Sequence, residues 1–439
     1  MSRAIRKVCR KVVQHDFYDT GEQVSGVVLL NSPSNTHWEY EEYLRLLFLK
    51  RFPQKWKRSQ PTGQCYFVCA DGAYPRLRAY VEERQQHQPH LLLFRLFPLC
   101  DAVIGDMDSY TSVHANDDIE TPVSAPTDGY ATVKEIPSAV LDTIHERCRS
   151  VVAEFLTLGE DVTKASLADW EKILEKRRGE PSLSPVRLHV RCQMSTDFMK
   201  ALLLLGRLRE QHPHDNDVAL PPVLRHPEGL KLLQTGGCID PNAGNKGSDI
   251  DIDRERNLCA DASLVESLKL PTYLVIGALG GRFDHEMGAI SVMFSLSSVA
   301  HVVLTDSNNT IFACQPNGWT QFVRQPEHEG VMCGLINYGT LKECETSGLL
   351  WNVVIGRGKQ SETEDLVLGF GNLISVCNVF RHEVVTIDLR CLYHNQQNRG
   401  YGSTTIVEDA DNTMVETEED CPPTLFSIQR CNRNSVKRI

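Results

Sequence analysis

Short apolar runs bounded by Gly, Asp and Pro alternate along the chain with longer stretches of helical periodicity. Val24 to Leu30 reads as a buried strand, followed by a helical segment from Trp38 to Phe52. Cys65 to Ala70 is a second strand and closes on Asp71-Gly72. The apolar stretch Leu91 to Phe97 comes before Val103-Ile104, which leads directly into Gly105-Asp106-Met107-Asp108. Met199 to Leu208 is strongly helical, and Thr272 to Ile276 is a further buried strand ahead of a Gly-rich turn. This alternation predicts an α/β fold with a doubly wound, mostly parallel sheet. After about residue 300 the helical period gives way to short β-like runs between Gly, Asn and Pro turns: His301–Thr305, Thr310–Ala313, Val331–Ile336, Leu366–Phe370 and Val384–Leu389. These predict an antiparallel β domain.

The expected organisation is therefore an α/β unit over residues 20–300, a β domain over 301–395 and an acidic, mobile tail over 396–439. Two stretches fit the alternation poorly and read as surface insertions, at about 110–190 (helical from Ser138 to Arg178) and 212–265. At 439 residues the chain is long enough for two cores. Its net charge of −11 argues against a protein built to hold nucleic acid, and no apolar run reaches the length of a membrane span. Fifteen cysteines, odd in number and without paired Cys-x-x-Cys knuckles, argue against a structural zinc site and for a reducing compartment. Cytoplasmic location is the expectation. The basic start, Arg3, Arg6, Lys7, Arg10 and Lys11 interleaved with Ile5, Val8, Val12 and Val13, offers an amphipathic organelle presequence as the alternative.

Candidate chemistry gathers at the ends of the expected strands. Asp106 and Asp108, two residues apart at a strand end, would point the same way and converge on one hard cation. A solvated turn or helix cap is the plain alternative. Gly277-Ala278-Leu279-Gly280-Gly281-Arg282-Phe283-Asp284 lets backbone N–H groups approach phosphate oxygens, and Arg282 could clamp a phosphate through two hydrogen bonds. It is neither a Walker A loop nor a dinucleotide fingerprint. In Gln193-Met194-Ser195-Thr196-Asp197-Phe198-Met199-Lys200, Ser195 or Thr196 caps the following helix and Asp197 sits in its first turn. Ligands in such sheets bind beyond the carboxyl ends of the strands, where Asp71, Asp106 and the Gly277–Asp284 turn all fall.

These motifs, in this order after Cys69-Ala70-Asp71-Gly72-Ala73, resemble the thiamine pyrophosphokinase family. The resemblance extends to Thr346-Ser347-Gly348-Leu349-Leu350-Trp351-Asn352, Leu368-Gly369-Phe370-Gly371 and Ser375-Val376-Cys377-Asn378. It covers roughly residues 24–110, 190–210 and 270–392. It implies an α/β nucleotide-binding catalytic domain followed by a thiamine-binding β-sandwich, working as a homodimer with thiamine bound between subunits. The implied reaction moves pyrophosphate from ATP to the hydroxyl of thiamine with Mg²⁺, giving thiamine diphosphate and AMP. The implied metal ligands and catalytic carboxylates are Asp71, Asp106, Asp108 and Asp197. Gly280, Gly281, Arg282, Asp284 and Gln193 would hold ATP, and Trp351, Ser375 and Asn378 would hold thiamine. For Trp351 a core position, and for Ser375 and Asn378 a turn-capping role, are the structural alternatives.

The chain departs from the family where Cys192 and Met194 flank Gln193, since the family has Asp at both places. That motivates a competing reading, a catalytically silent thiamine-binding relative that acts as sensor or scaffold. A nucleotide-sugar glycosyltransferase also uses an Asp-x-Asp metal motif, but the Gly-Gly-Arg-Phe-Asp turn and the β domain count against it. An ordinary kinase moving the γ-phosphate would release ADP in place of AMP.

Overall fold

The computed structural model describes residues 9–14, 24–51, 65–95, 97–108, 130–157, 167–176, 184–213, 270–297, 299–314, 318–339, 341, 343–355, 368–372, 374–390 and 424–431. Six parallel strands carry the α/β part: β2 (Val24–Leu29), β3 (Tyr66–Ala70), β4 (Ala102–Gly105), β5 (Val186–His189), β6 (Thr272–Ile276) and β7 (His301–Thr305). They run in the order β7-β6-β2-β3-β4-β5. The central strands are apolar on both faces, as a sheet covered on both sides requires, while the edge strand β5 alternates buried Val186 and Leu188 with half-buried Arg187 and His189. Val27, Leu29, Phe67, Cys69, Leu274 and Ile276 enter one core, while Val28, Tyr66, Val68, Tyr273 and Val275 enter the other. Successive residues of a strand thus feed opposite cores.

Helices α1 (His37–Arg51) and α2 (Ala73–Arg84) cover the first face; α3 (Ser138–Thr157), α5 (Asp197–Gln211) and α6 (Phe283–Leu296) cover the second. A short α4 (Leu167–Lys176) lies beside a 3-10 turn at Pro89–Arg95. At the start of helix α1 the Thr36 N–H and hydroxyl both donate to Glu39 (2.6 and 2.5 Å), and the hydroxyl accepts from the Trp38 N–H at 3.2 Å.

The sheet does not stop at β7. It turns antiparallel and continues through β8 (Asn309–Cys314), β15 (Thr424–Arg430), β10 (Glu329–Asn337) and β13 (Ser375–Val379), giving ten strands in one sheet among the described residues. A second sheet, β1 (Cys9–Gln14), β9 (Gly318–Val323), β14 (Val384–Arg390), β11 (Glu343–Ser347) and β12 (Val354–Ile355), packs on its antiparallel half. Phe322 meets Phe312 at 5.4 Å and Phe426 at 4.5 Å in the layer between them. The expected parallel sheet followed by an antiparallel sandwich is present.

Several expectations need correction. The segment assigned to a mobile tail contains β15, inserted between β8 and β10 with Leu425, Phe426 and Ile428 buried. An acidic stretch before it hid a short apolar run. The stretch at 110–190 is not a surface insertion where described, because α3 buries Val140, Leu141, Ile144 and Cys148 and β5 is the edge strand of the sheet. Strand β7, placed with the β domain, pairs parallel with β6 and completes the α/β half. Cys9–Gln14 is a strand paired with Gly318–Val323 and not part of a helix, in keeping with the β preference of Val12-Val13. Of Leu366–Phe370, the described part forms only a bridge, Leu368 to Leu341. The insertion at 212–265 beyond residue 213, and the tail before residue 424, lie outside the described residues.

Candidate active site

The carboxyl edge of the parallel sheet carries an acidic cluster. Asp71 follows β3 with φ +35°, and its N–H donates to the Ile104 carbonyl at 2.9 Å, which ties it to β4. Asp106 follows β4. Asp197 opens α5, capped by the Thr196 hydroxyl, which accepts from the Met199 N–H at 3.2 Å. One carboxylate oxygen from each of Asp71, Asp106 and Asp197 lies within 4.8 Å of the others.

Gly105 permits this approach: a Cβ there would stand 2.7 Å from the Asp71 Cβ and 3.4 Å from the Asp197 Cγ. Lys200, 1% exposed, donates its ammonium to Asp197 at 2.9 Å. Burial pushes the Asp197 carboxyl up, Lys200 opposes that, and Asp106 and Asp108 add to it. Three oxygen donors around one point, with a buried cation behind them, fit a hard divalent metal ion.

Asp108, expected in the metal set, stays outside this group and is exposed; its N–H donates to Asp106 at 3.4 Å. The i, i+2 rule fails here because β4 ends at Gly105 and Met107 turns the chain at φ +61°. Gln193, expected at ATP, donates its amide to Asp106 at 3.3 Å and so belongs to the carboxylate cluster. Of the two departures, Met194 is 96% exposed. The Ser195 hydroxyl, with the Met194 and Ser195 backbone groups, holds the Cys192 thiol below its ordinary range.

The Gly-rich turn sits across β2 from these acids. Gly277, Gly280 and Gly281 have φ of +84°, +76° and +86°, where side chains are strained. They face Asn31-Ser32-Pro33-Ser34-Asn35, the loop after β2, which was not among the expected site elements. A Cβ on Gly277 would lie 2.5 Å from the Asn35 Oδ1, one on Gly280 2.9 Å from the Ser34 Oγ, and one on Gly281 3.3 Å from the Ser32 Oγ. The Ser34 hydroxyl donates to the Leu279 carbonyl at 3.3 Å, locking loop to turn. Turn-forming Ser-Pro-Ser-Asn directly after a strand was the available signal. Arg282 is not a poised phosphate clamp here; its guanidinium closes on Asp284 at 3.1 and 2.6 Å, raising Arg282 and lowering Asp284. The Gly280 N–H donates to Glu286.

The remaining candidates lie in the β domain. Trp351 is not a core residue; it is 60% exposed on the turn after β11. Asn378, buried, accepts from the Trp351 N–H at 3.2 Å and the Val379 N–H at 2.9 Å. Its amide donates to the Trp351 carbonyl at 2.7 Å and to the Ser375 Oγ at 3.2 Å. All four of its hydrogen-bonding positions are used, so Asn378 holds the Trp351 turn and has none left for a ligand. Strand β13 lies seven strands from β3 in the sheet order, about 30 Å at one strand spacing each. Trp351 and Ser375 therefore do not join the carboxylates within one chain.

Fold and site together define an α/β protein with a carboxylate cluster at the carboxyl edge of its sheet, fused to a β-sandwich through that same sheet. Residues 320–393 match the family model described as "Thiamin pyrophosphokinase, vitamin B1 binding domain". The chain is 36% identical over 115 residues to "Thiamine pyrophosphokinase 1" of Oryza sativa subsp. japonica, covering 26% of this chain and 39% of that protein. It is 31% identical over 129 residues to "Thiamin pyrophosphokinase 1" of Caenorhabditis elegans, covering 29% and 49%. The match to the rice relative thus spans about two fifths of its length. A crystal structure of yeast thiamin pyrophosphokinase aligns over 98% of this chain and 94% of that one at 16% identity, with a TM-score of 0.44. The matched domain and the named relatives support the thiamine pyrophosphokinase family for this chain.

Proposed function

We propose that this protein transfers pyrophosphate from ATP to thiamine, forming thiamine diphosphate and AMP. The observation that carries the reading is the convergence of Asp71, Asp106 and Asp197 on one point, in a chain whose residues 320–393 match a thiamine-binding domain. The hydroxyl oxygen of thiamine bonds to the β-phosphorus of ATP. The bond from that phosphorus to the oxygen bridging it to the α-phosphorus breaks, and AMP leaves with that oxygen. A carboxylate of the cluster accepts the hydroxyl proton.

Asp71, Asp106 and Asp197 would hold Mg²⁺, which when bound offsets phosphate charge. Asp108 and Gln193 would act from the rim of the cluster, the latter through its bond to Asp106. Gly280 and Gly281 shape the nucleotide side, and Arg282 and Asp284 exchange their mutual pair for contacts to ATP. Trp351 offers an exposed face to the thiazolium cation, worth about 0.5–2 kcal/mol. Ser375 keeps its hydroxyl proton for the pyrimidine, while Asn378 acts by holding Trp351.

Because those groups lie so far from the carboxylates in one chain, a working site takes its carboxylates from one copy and its Trp351 turn from a second, as a homodimer. Cytoplasmic location belongs to the same proposal. The described residues include no helix long and apolar enough to cross a membrane.

The test is turnover of ATP, Mg²⁺ and thiamine by the purified protein. Equal thiamine diphosphate and AMP, abolished by Asp106→Asn with the fold retained, is the expected result. Thiamine binding without product would favour a silent thiamine-binding relative, the reading suggested by Cys192 and the exposed Met194. ADP in place of AMP would show that only the γ-phosphate moves.

A further inference from the structure

Strand β6 pairs with β2 on the side opposite β3, so the carboxyl ends of β6 and β2 flank the switch point of the sheet, the usual ligand crevice. The Gly-rich turn rises from β6 and Asp71 from β3. Any anion that touches both must cross the end of β2, since two strand spacings, about 10 Å, separate them. That crossing point is the Ser32–Asn35 loop.

Among the described residues, a cation bonded to that loop stands there. Arg76, in the first turn of α2 and five residues past Asp71, donates from Nη1 to the Ser32 carbonyl at 3.2 Å. The hydroxyl of the same Ser32 packs against Gly281. Arg76 is exposed, and no carboxylate among the described residues pairs with it. The other cations of the site start out paired with carboxylates: Lys200 is buried on Asp197, and Arg282 is closed on Asp284 and must give up that pair before it can reach ATP.

We infer that Arg76, seated over the β2 loop between the Gly-rich turn and the carboxylate cluster, binds the polyphosphate chain of the nucleotide. The inference rests on the nucleotide half of the function proposed above. A guanidinium suits the task because its planar donors can serve a phosphate oxygen while one still holds the Ser32 carbonyl. The bond to Ser32 fixes the side chain over the crevice before the ligand arrives.

Calorimetric titration of the full chain with inorganic pyrophosphate, with ATP and separately with thiamine, all with Mg²⁺ present, tests this. Arg76→Ala should weaken pyrophosphate and ATP binding by about tenfold or more and leave thiamine affinity and the melting temperature unchanged. Arg76→Gln keeps a donor for the Ser32 carbonyl but no charge, and should fail as Ala does, while Arg76→Lys should recover part of the affinity. Wild-type pyrophosphate and ATP affinity in either Arg76→Ala or Arg76→Gln would overturn the inference; in the Gln variant it would reduce Arg76 to an anchor of the loop. A wild-type chain that binds ATP through Arg76 but makes no thiamine diphosphate would sink the proposed reaction and spare the inference. Product formation with an unchanged KM for ATP in Arg76→Ala would do the reverse.

Discussion

Gly105 and Asn378 are the residues on which the two halves of the proposed site turn. At Gly105 the absent side chain is the functional feature, because a methyl group would overlap the Asp71 Cβ at 2.7 Å and press on the Asp197 carboxylate. Gly105→Ala is expected to force the acids apart and cut kcat at least tenfold, at a stability cost of about 1–3 kcal/mol from overpacking. Steady-state kinetics beside a denaturation curve would check both. Asn378 spends its whole amide on the turn that presents Trp351. Asn378→Ala should therefore raise KM for thiamine several-fold while KM for ATP stays within about twofold, on the order of a lost pair of hydrogen bonds at one subsite. Equal rises in both constants would contradict that division. Asp71, Asp106 and Asp197 were legible in the sequence because strand ends and a capped helix start mark them. Gly105 and Lys200 were not, since a glycine before an acid and a lysine in a helix carry no signal until their neighbours are known.

Among the elements, β15 carries the most structural consequence for its length. It bridges β8 and β10, and its Phe426 fills the sandwich between Phe322 and Phe380. Phe426→Ala should cost about 3–5 kcal/mol, read as a drop in the denaturation midpoint. The same strand reaches the α/β half through Arg430, whose guanidinium lies 4.7 Å from the Trp38 ring centre and donates to the Thr305 hydroxyl at 3.2 Å. Near it, burial pushes the Glu42 carboxyl up, but Arg45, Arg430 and His328 outweigh that and bring it down from 4.5 to about 2. With the folded value below the unfolded one, its stabilisation is present above pH 4.5 and is lost as pH falls from there toward 2. Glu42→Gln should flatten that acid limb, and unfolding curves on either side of pH 4.5 would show it. The strand in the tail was not legible in the sequence because composition averages over an acidic stretch, whereas a strand needs only one short apolar run between two open edges.

For the whole molecule, the decisive fact is that one ten-stranded sheet spans both halves and sets Trp351 far from the acids of its own chain. If two copies share each site, mixing Asp106→Asn, inactive alone, with Trp351→Ala, weakened for thiamine, should raise activity at low thiamine above that of Trp351→Ala alone, through the one intact site of the mixed dimer. Unfolding and refolding the mixture before assay allows the exchange. No rise after demonstrated subunit exchange would mean that each chain completes its own site.

Local sequence settled the alternation of strands and helices, the strand-end acids and the glycine turn, because apolar period, caps and turn residues act over a few neighbours. It also carried the resemblance to a family, through short motifs in order. Tertiary structure alone decided which acids meet, dropping Asp108 and adding Lys200 behind Asp197. It alone set the Ser32–Asn35 loop against the Gly-rich turn and drew the last strand into the sandwich. Those contacts join residues far apart in the chain, and their distances are fixed by how strands order themselves in the sheet, which no short stretch of sequence encodes.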